Sequence, residues 1–189
     1  LATCDDASCT YSVYISEYAE GSVYNKYIEI YNGTSQDLDL SSYEVWKISN
    51  GGSWPEQTLS LSGTLSAGDV YVITSSNNSI DPTVLNNADT TWSSFSFNGD
   101  DAIGLARNGI LVDAVGTSAL DANGLALDTI DGWDVAGVSN ATKNHTLIRK
   151  CNINQGNTDW ASSAGTDVQN SEWVVRNIDD WFNINQHTF

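Results

Sequence analysis

Residues 11–32 read YSVYISEYAEGSVYNKYIEIYN, and this stretch decides the fold. In its first half Val13 and Ile15 alternate with serines, and its second half repeats the alternation. A period of two residues is that of a β-strand with one buried face. We therefore predict two neighbouring strands, Tyr11–Glu17 and Tyr24–Asn32, whose apolar faces contribute to a common core.

Similar strand patterns continue along the chain. Each is short, rich in β-branched or aromatic residues, and bounded by Gly, Asn, Asp or Ser. The further predicted strands are Tyr43–Ser49, Gln57–Leu61, Val70–Thr74, Ala102–Ala106, Ile110–Val115 and Thr146–Cys151. The pair Asn108-Gly109 favours a type I′ hairpin between two of them. No helical pattern extends beyond a turn or two, so any helix is a single turn in a loop such as Ser79–Leu85, and the predicted fold class is an all-β sandwich.

Inward positions of the strongest strands give a predicted core. Its members are Ile15, Ile28, Ile30, Val72, Ile103 and Leu147. Two polar segments, residues 75–98 and 116–144, interrupt the strands, and loops of this length are usually functional, ordered by metal or inserted. Aromatic residues continue to Phe189, so the C-terminus is expected to be packed.

Charge restricts the possible partners. The 189 residues carry 24 acidic and 7 basic side chains, a formal net charge of −17. This charge repels phosphate backbones and anionic membranes, so direct binding of nucleic acid or membrane is not expected. There is also no apolar run long enough to span a membrane. The chain starts at Leu1 without Met, and we expect a trimmed product whose export signal lay upstream.

The three cysteines fit neither a zinc site nor a redox pair. Cys4 and Cys9 are close in sequence and would meet easily in an oxidising compartment. Cys9 with Cys151 would instead tie the first strand to a late one. We favour the Cys4–Cys9 disulfide, and the second pairing stays open.

Several strings in chain order resemble one known family. They are ISEY (15–18), KYIEIYN (26–32), LDLSSY (38–43), LSAGDVYVI (65–73), FNGDDAI (97–103), GWDVAG (132–137), HTLIRK (145–150) and HTF (187–189). Together they resemble the lamin tail domain, in the bacterial branch found beside secreted nucleases, phosphatases and other surface proteins. The resemblance implies one immunoglobulin-like β-sandwich at residues 11–189, after an extension at residues 1–10, with export from bacteria and a supporting, non-catalytic role.

Catalysis is not expected. Glu17 and Glu29 lie on neighbouring predicted strands, and paired carboxylates can serve as acid and base. Basic residues nearby can equally neutralise them. His145 and His187 are the only histidines, and no nucleophile, metalloprotease or nucleotide-binding motif occurs. We therefore predict that the protein is not an enzyme.

A structural calcium ion is a possible cofactor. Calcium binds six to eight oxygens, which loops dense in Asp and Asn provide. Asp121, Asn123, Asp128 and Asp131 have this character, although their spacing is not that of an EF-hand. We predict that these four residues order their loop around Ca²⁺.

Two of the seven tryptophans are candidates for binding sugars. Trp54 follows Asn50-Gly51-Gly52-Ser53 and precedes Pro55, a turn where burial is hard to arrange. Trp92, in a polar loop, is the second candidate. An exposed indole presents a flat apolar face on which a sugar ring can stack. The alternative is a loop that folds its tryptophan down onto the sheet.

These observations lead to two functional expectations. The first is a secreted or surface-attached, monomeric module of a larger bacterial protein that binds an extracellular polymer, most plausibly carbohydrate, through Trp54 and Trp92. The second is a structural appendage or spacer of an extracellular enzyme such as a nuclease. Exposure of both tryptophans on one side favours binding, and their burial favours a spacer.

Overall fold

The computed structural model describes residues 12–50, 52–118 and 131–188, in which short strands dominate. The strands are β1 (Val13–Glu20), β2 (Lys26–Asn32), β3 (Leu38–Asp39), β4 (Tyr43–Ile48), β5 (Gln57–Ser60), β6 (Thr64–Leu65), β7 (Val70–Ser75), β8 (Thr90–Trp92), β9 (Ala102–Arg107), β10 (Ile110–Val115), β11 (His145–Arg149) and β12 (Trp173–Asn177). The helices are a 3₁₀ turn (Leu40–Ser42), α1 (Pro82–Asn86) and α2 (Trp160–Ala164). In the described ranges no helix has the length and apolar character needed to cross a membrane.

The strands form an immunoglobulin-like β-sandwich. One sheet has six strands in the order β12-β11-β1-β2-β7-β8, the other has four in the order β10-β9-β4-β5, and β3 pairs with β6 separately. Pairing is antiparallel except between β7 and β8. The late strand β11 lies directly beside β1, with Leu147 opposite Tyr18. The all-β sandwich is confirmed.

The Asn108-Gly109 turn is as predicted. Arg107 and Ile110 are paired at the ends of β9 and β10, leaving two residues in the loop. Asn108 has φ 51° and Gly109 has φ 74°. Positive φ at both central residues defines the type I′ turn, which suits the right-handed twist of the strands. The turn sets the first pairs of β9 and β10, and the register then shifts between Leu111 and Asp113.

Apolar side chains from both sheets fill the space between them. Ile15, Ile28 and Ile30 from the six-stranded sheet share one cluster with Val45 and Ile103 from the four-stranded sheet. All six residues predicted for the core have no exposed surface, which confirms their burial.

The outer face of the six-stranded sheet is also covered, which the alternation in β1 and β2 did not predict. Val72 belongs to a second cluster on this face, with Ile80 and Val84. The C-terminal segment (residues 178–188) lies over the same face and brings Trp181 and Ile184 against that cluster. The C-terminus is therefore packed, as predicted, and β1 is buried along its whole length.

The sequence did not predict the strands whose formation depends on pairing with residues far away in the chain. Residues 75–98 were predicted to be a loop with a single helical turn within Ser79–Leu85. That turn corresponds to α1 at Pro82–Asn86, but the three-residue strand β8 in the same segment was not predicted. The strand β12 was missed as well. Its register against β11 places Val175 opposite Leu147. Both β8 and β12 lie at edges of the six-stranded sheet, where only one neighbour constrains the sequence. The two-residue strands β3 and β6 were missed as well.

Candidate functional site

Trp54 lies on the outer face of the four-stranded sheet. In β9, the side chains of Ile103 and Leu105 on either side of Gly104 point to the core, so Gly104 faces outward. The Cζ3 and Cη2 atoms of Trp54 lie 3.2 Å from the point where a Cβ atom of Gly104 would stand. The missing side chain therefore lets the indole ring come down close to the strand.

A second indole supports the first. The ring centroids of Trp46 and Trp54 are 6.4 Å apart, with planes tilted by 36°. Trp46 is buried, and its Nε1 donates a hydrogen bond of 2.9 Å to the Glu44 carboxylate. We call Trp46, Trp54 and Gly104 the tryptophan platform. Trp54 is half-buried on this platform, so the expectation of a freely exposed ring is wrong, because the turn folds the ring down onto Gly104.

Trp92 does not belong to this surface. It is 8% exposed, and its ring stacks on Phe95 with centroids 5.8 Å apart. It belongs to the main core cluster, between the sheets. The expectation that Trp92 contacts a ligand from solvent is therefore wrong, because β8 adds to the sheet and turns this side chain inward.

Glu17 and Glu29 do lie together, as the sequence predicted. They are directly opposite in the register of β1 and β2, and neither has exposed surface. Tyr27 donates its hydroxyl hydrogen bond to Glu17. Ser16 Oγ donates to Glu29 Oε1 at 2.7 Å, and the backbone N–H of Asn185 donates to Glu29 Oε2 at 2.8 Å. The C-terminal segment thus seals the two carboxylates away from solvent.

Burial changes the acidity of both carboxyls. Desolvation raises the pKa of Glu17 to about 7, although the hydrogen bonds from Tyr27 and Asn183 oppose the rise. Desolvation, with the charge of Glu17, raises the pKa of Glu29 well above its usual range. At neutral pH the pair therefore holds a proton, but no substrate can reach it, so the geometry is that of a sealed pair rather than of an open acid–base site.

The two histidines are held by the protein itself. His145 Nδ1 lies 2.7 Å from the carbonyl oxygen of Lys143. His187 Nε2 lies 3.2 Å from the hydroxyl of Tyr14, and burial lowers the pKa of His187 to about 4. With this pKa, His187 is uncharged at neutral pH.

Sequence reasoning missed a buried ion pair that joins the two sheets. Arg149 of β11 has no exposed surface, and its Nη2 donates to both carboxylate oxygens of Asp113 of β10, each at 2.7 Å. Its guanidinium carbon lies 4.0 Å from the centroid of the Trp173 ring. Glu172 also accepts a hydrogen bond from Arg149. The sequence feature that could have indicated this ion pair is Asp113, the single acidic residue in the otherwise apolar strand ILVDAV.

The predicted calcium ligands lie mostly outside the described residues. This holds for Asp121, Asn123 and Asp128. Asp131 is exposed, and its Oδ1 lies 2.9 Å from Lys143 Nζ. Within the described ranges no group of three or more His, Cys, Asp or Glu side chains is arranged to hold a metal ion. The calcium site stays a prediction.

The cysteine pairing is likewise not decided. Cys4 and Cys9 both lie outside the described residues. Cys151 is half-buried and has no cysteine partner among the residues that the structure describes. Both proposed pairings therefore remain predictions.

Comparison with known proteins identifies a family. The family model described as Lamin Tail Domain matches residues 7–119, more than half of the chain. The match covers every strand of the four-stranded sheet and ends before β11 and β12. No curated protein matches the chain.

Proposed function

The chain belongs to the lamin tail domain family, an immunoglobulin-like domain, and we propose that it is a non-catalytic accessory module of an exported or surface-attached bacterial protein. In this proposal the module binds an extracellular polysaccharide on the outer face of its four-stranded sheet. Neither nucleic acid nor membrane is a direct partner, and the module acts as a monomer within a larger protein.

The tryptophan platform is the observation that carries the proposal. Trp54 is seated on Gly104 and backed by Trp46, so little rotational freedom remains to be lost when a sugar ring stacks on it. The half-buried ring keeps a part of its surface in solvent. A flat aromatic surface fixed on a rigid strand is a favourable surface for the C–H groups of a sugar.

Affinity electrophoresis tests this proposal. The protein is run through gels that contain one of a panel of neutral and acidic polysaccharides, beside Trp54→Ala and Phe182→Ala. Phe182 is the matched control, because it is 73% exposed but belongs to the C-terminal segment. We expect the wild type to be retarded by at least one polysaccharide, Trp54→Ala to bind roughly fivefold more weakly, and Phe182→Ala to bind like wild type.

Two results contradict the proposal. One is unretarded migration of the wild type in every gel. The other is equal retardation of wild type and Trp54→Ala. Either result makes the structural appendage or spacer of an extracellular enzyme the better description, because the platform would then serve packing alone.

A further inference from the structure

Among the described residues of its four strands, the outer face of the four-stranded sheet carries one charged side chain, Glu44. Alternation in β4 places Val45 in the core, so Glu44 and Trp46 face outward. The other outward positions of β4, β9 and β10 have no polar side chain, and they are Ile48, Ala102, Gly104, Ala106, Leu111 and Ala114. The charge that a ligand meets on this face is therefore that of a carboxylate.

The basic side chains of β4 and β9 lie on the opposite, inward side. Lys47 is paired with Ile103, which belongs to the core. Arg107 is paired with Tyr43, another core residue. Lys47 is also buried, and its Nζ donates to the carbonyl oxygen of Ser96 at 3.0 Å. Neither base can therefore neutralise Glu44 on the outer face.

Glu44 is held beside the tryptophan platform. Its Oε2 accepts the hydrogen bond from Trp46 Nε1 at 2.9 Å, which fixes the carboxylate at the edge of that indole. Glu44 is half-buried and so keeps part of its surface in solvent. Ala106 lies directly opposite Glu44, so Gly104, the seat of Trp54, is its diagonal neighbour, roughly 7–8 Å away. A ring stacked on Trp54 thus has its substituents within reach of the carboxylate.

The neighbouring strand β5 adds hydroxyl groups to this surface. Thr58 is paired with Trp46, and Ser60 is paired with Glu44. Both Thr58 and Ser60 are exposed. The outer face therefore combines indole rings, one carboxylate and hydroxyl groups that can bond to those of a sugar.

We propose that the tryptophan platform binds a polymer of amino sugars with free amino groups, and that Glu44 holds the ammonium group of the ring stacked on Trp54. This inference rests on the proposed function and names the class of its ligand. A hydrogen bond between ammonium and carboxylate is stronger than one between neutral groups, and the face of an indole attracts a cation. The net charge of −17 also draws a polycation toward the protein.

Isothermal titration calorimetry with defined hexamers tests this inference. The ligands are the hexamer of β-1,4-linked glucosamine, its fully N-acetylated form, and hexalysine, all at mildly acidic pH where the amines are protonated. The two sugars differ at the amino groups alone, and hexalysine carries the same number of side-chain amines without a sugar. Glu44→Gln removes the carboxylate but keeps an acceptor for Trp46. Asp69→Asn, at an exposed acid that precedes β7 in the other sheet, removes the same charge.

We expect the wild type to bind the glucosamine hexamer about fivefold more tightly than the acetylated one. Glu44→Gln should bind the two sugars equally, and Asp69→Asn should keep the preference of the wild type. Trp54→Ala should bind both sugars more weakly, because both stack on the same ring. Hexalysine should bind more weakly than the glucosamine hexamer and should not respond to Trp54→Ala. Melting curves check that each variant is folded.

Three results overturn the inference. Equal binding of both sugars by the wild type, or a preference that Glu44→Gln retains, rejects the amino sugar and leaves the proposed function standing. Binding of hexalysine as tight as that of the glucosamine hexamer reassigns the effect to general attraction of polycations by the acidic chain. Absence of binding to either sugar also rejects the inference, whereas the proposed function falls only if the polysaccharide gels show no retardation.

Discussion

Burial decides what a single side chain contributes to stability, and Ile28 is a clear case. It has no exposed surface and lies opposite Tyr18 on one side and Ile73 on the other. Ile28→Ala should lower the free energy of unfolding by about 2–5 kcal/mol, because it leaves a cavity between packed neighbours. Urea denaturation measures this loss. Ile110→Ala, at a position 69% exposed, is the control and should change stability by less than about 0.5 kcal/mol.

The Glu17–Glu29 pair should make stability depend on pH. Burial raises both pKa values above those of the unfolded chain, so the folded state keeps a proton that the unfolded state has released. The stabilisation from this proton is complete at low pH and is lost as pH rises through the folded pKa values. For Glu17, whose pKa rises from 4.5 to about 7 on folding, the loss runs from about pH 4.5 to pH 7 at up to about 1.4 kcal/mol per pH unit, and Glu29 adds to it in the same direction.

Glu29→Gln is the variant that tests this dependence. The amide at position 29 cannot ionise, so the loss that remains comes from Glu17, and the stability of the variant should fall less between pH 4.5 and 7 than that of the wild type. His187, whose pKa is lowered from 6.5 to about 4, opposes the loss between these two values. It does so equally in both proteins, so the difference between their profiles reports the Glu17–Glu29 pair. Equal pH profiles for wild type and variant, measured by urea denaturation, would show that the pair is not the cause.

Among the secondary-structure elements, β10 and β11 are joined by the buried ion pair of Asp113 and Arg149. Asp113→Ala should cost about 3–5 kcal/mol in unfolding free energy, since it leaves a buried guanidinium without its main partner. The double variant Asp113→Leu with Arg149→Met should be less destabilised than Asp113→Ala. Removal of the half-exposed pair Arg176–Asp180 is the control, and should cost less than about 1 kcal/mol. Equal losses from both pairs, in urea denaturation, would contradict a structural role for burial here.

The sequence pattern predicted the strands and turns that depend on residues close together in the chain. Alternation placed the central strands, and Asn108-Gly109 placed its turn, because both depend on neighbours in sequence. The short strand β8 and the Arg149–Asp113 contact depend on pairing across distant residues, which no local window contains. At the site, the sequence predicted a turn around Trp54, but the packing of the Trp54 ring on Gly104 depends on β9, which lies far away in the chain. Exposure could therefore not be read from the turn alone.

For the whole molecule, the charge of −17 should make stability depend on cations. If Asp121, Asn123, Asp128 and Asp131 bind Ca²⁺, a concentration one hundred times the dissociation constant adds about 2.7 kcal/mol and raises the melting temperature by roughly 5–10 °C. Thermal melts with calcium and with chelator, at equal ionic strength, measure this effect. Asp121→Asn with Asp128→Asn should abolish the calcium-specific part and keep the general response to salt. A melting temperature that chelator leaves unchanged removes the calcium site from consideration.

The position of β11 has a consequence for how the molecule can be assembled. This strand comes late in the chain, yet it lies between β12 and β1, one strand in from the edge of the six-stranded sheet. A break within residues 119–130 would divide the protein into one piece whose β1 has an open edge and another that carries the strand completing it. Two such pieces can reassociate by donor-strand complementation, in which β11 of one piece pairs with the open edge of β1 in the other. The protein thus has the layout of a split reporter, in which a signal attached to each half appears only when the halves meet.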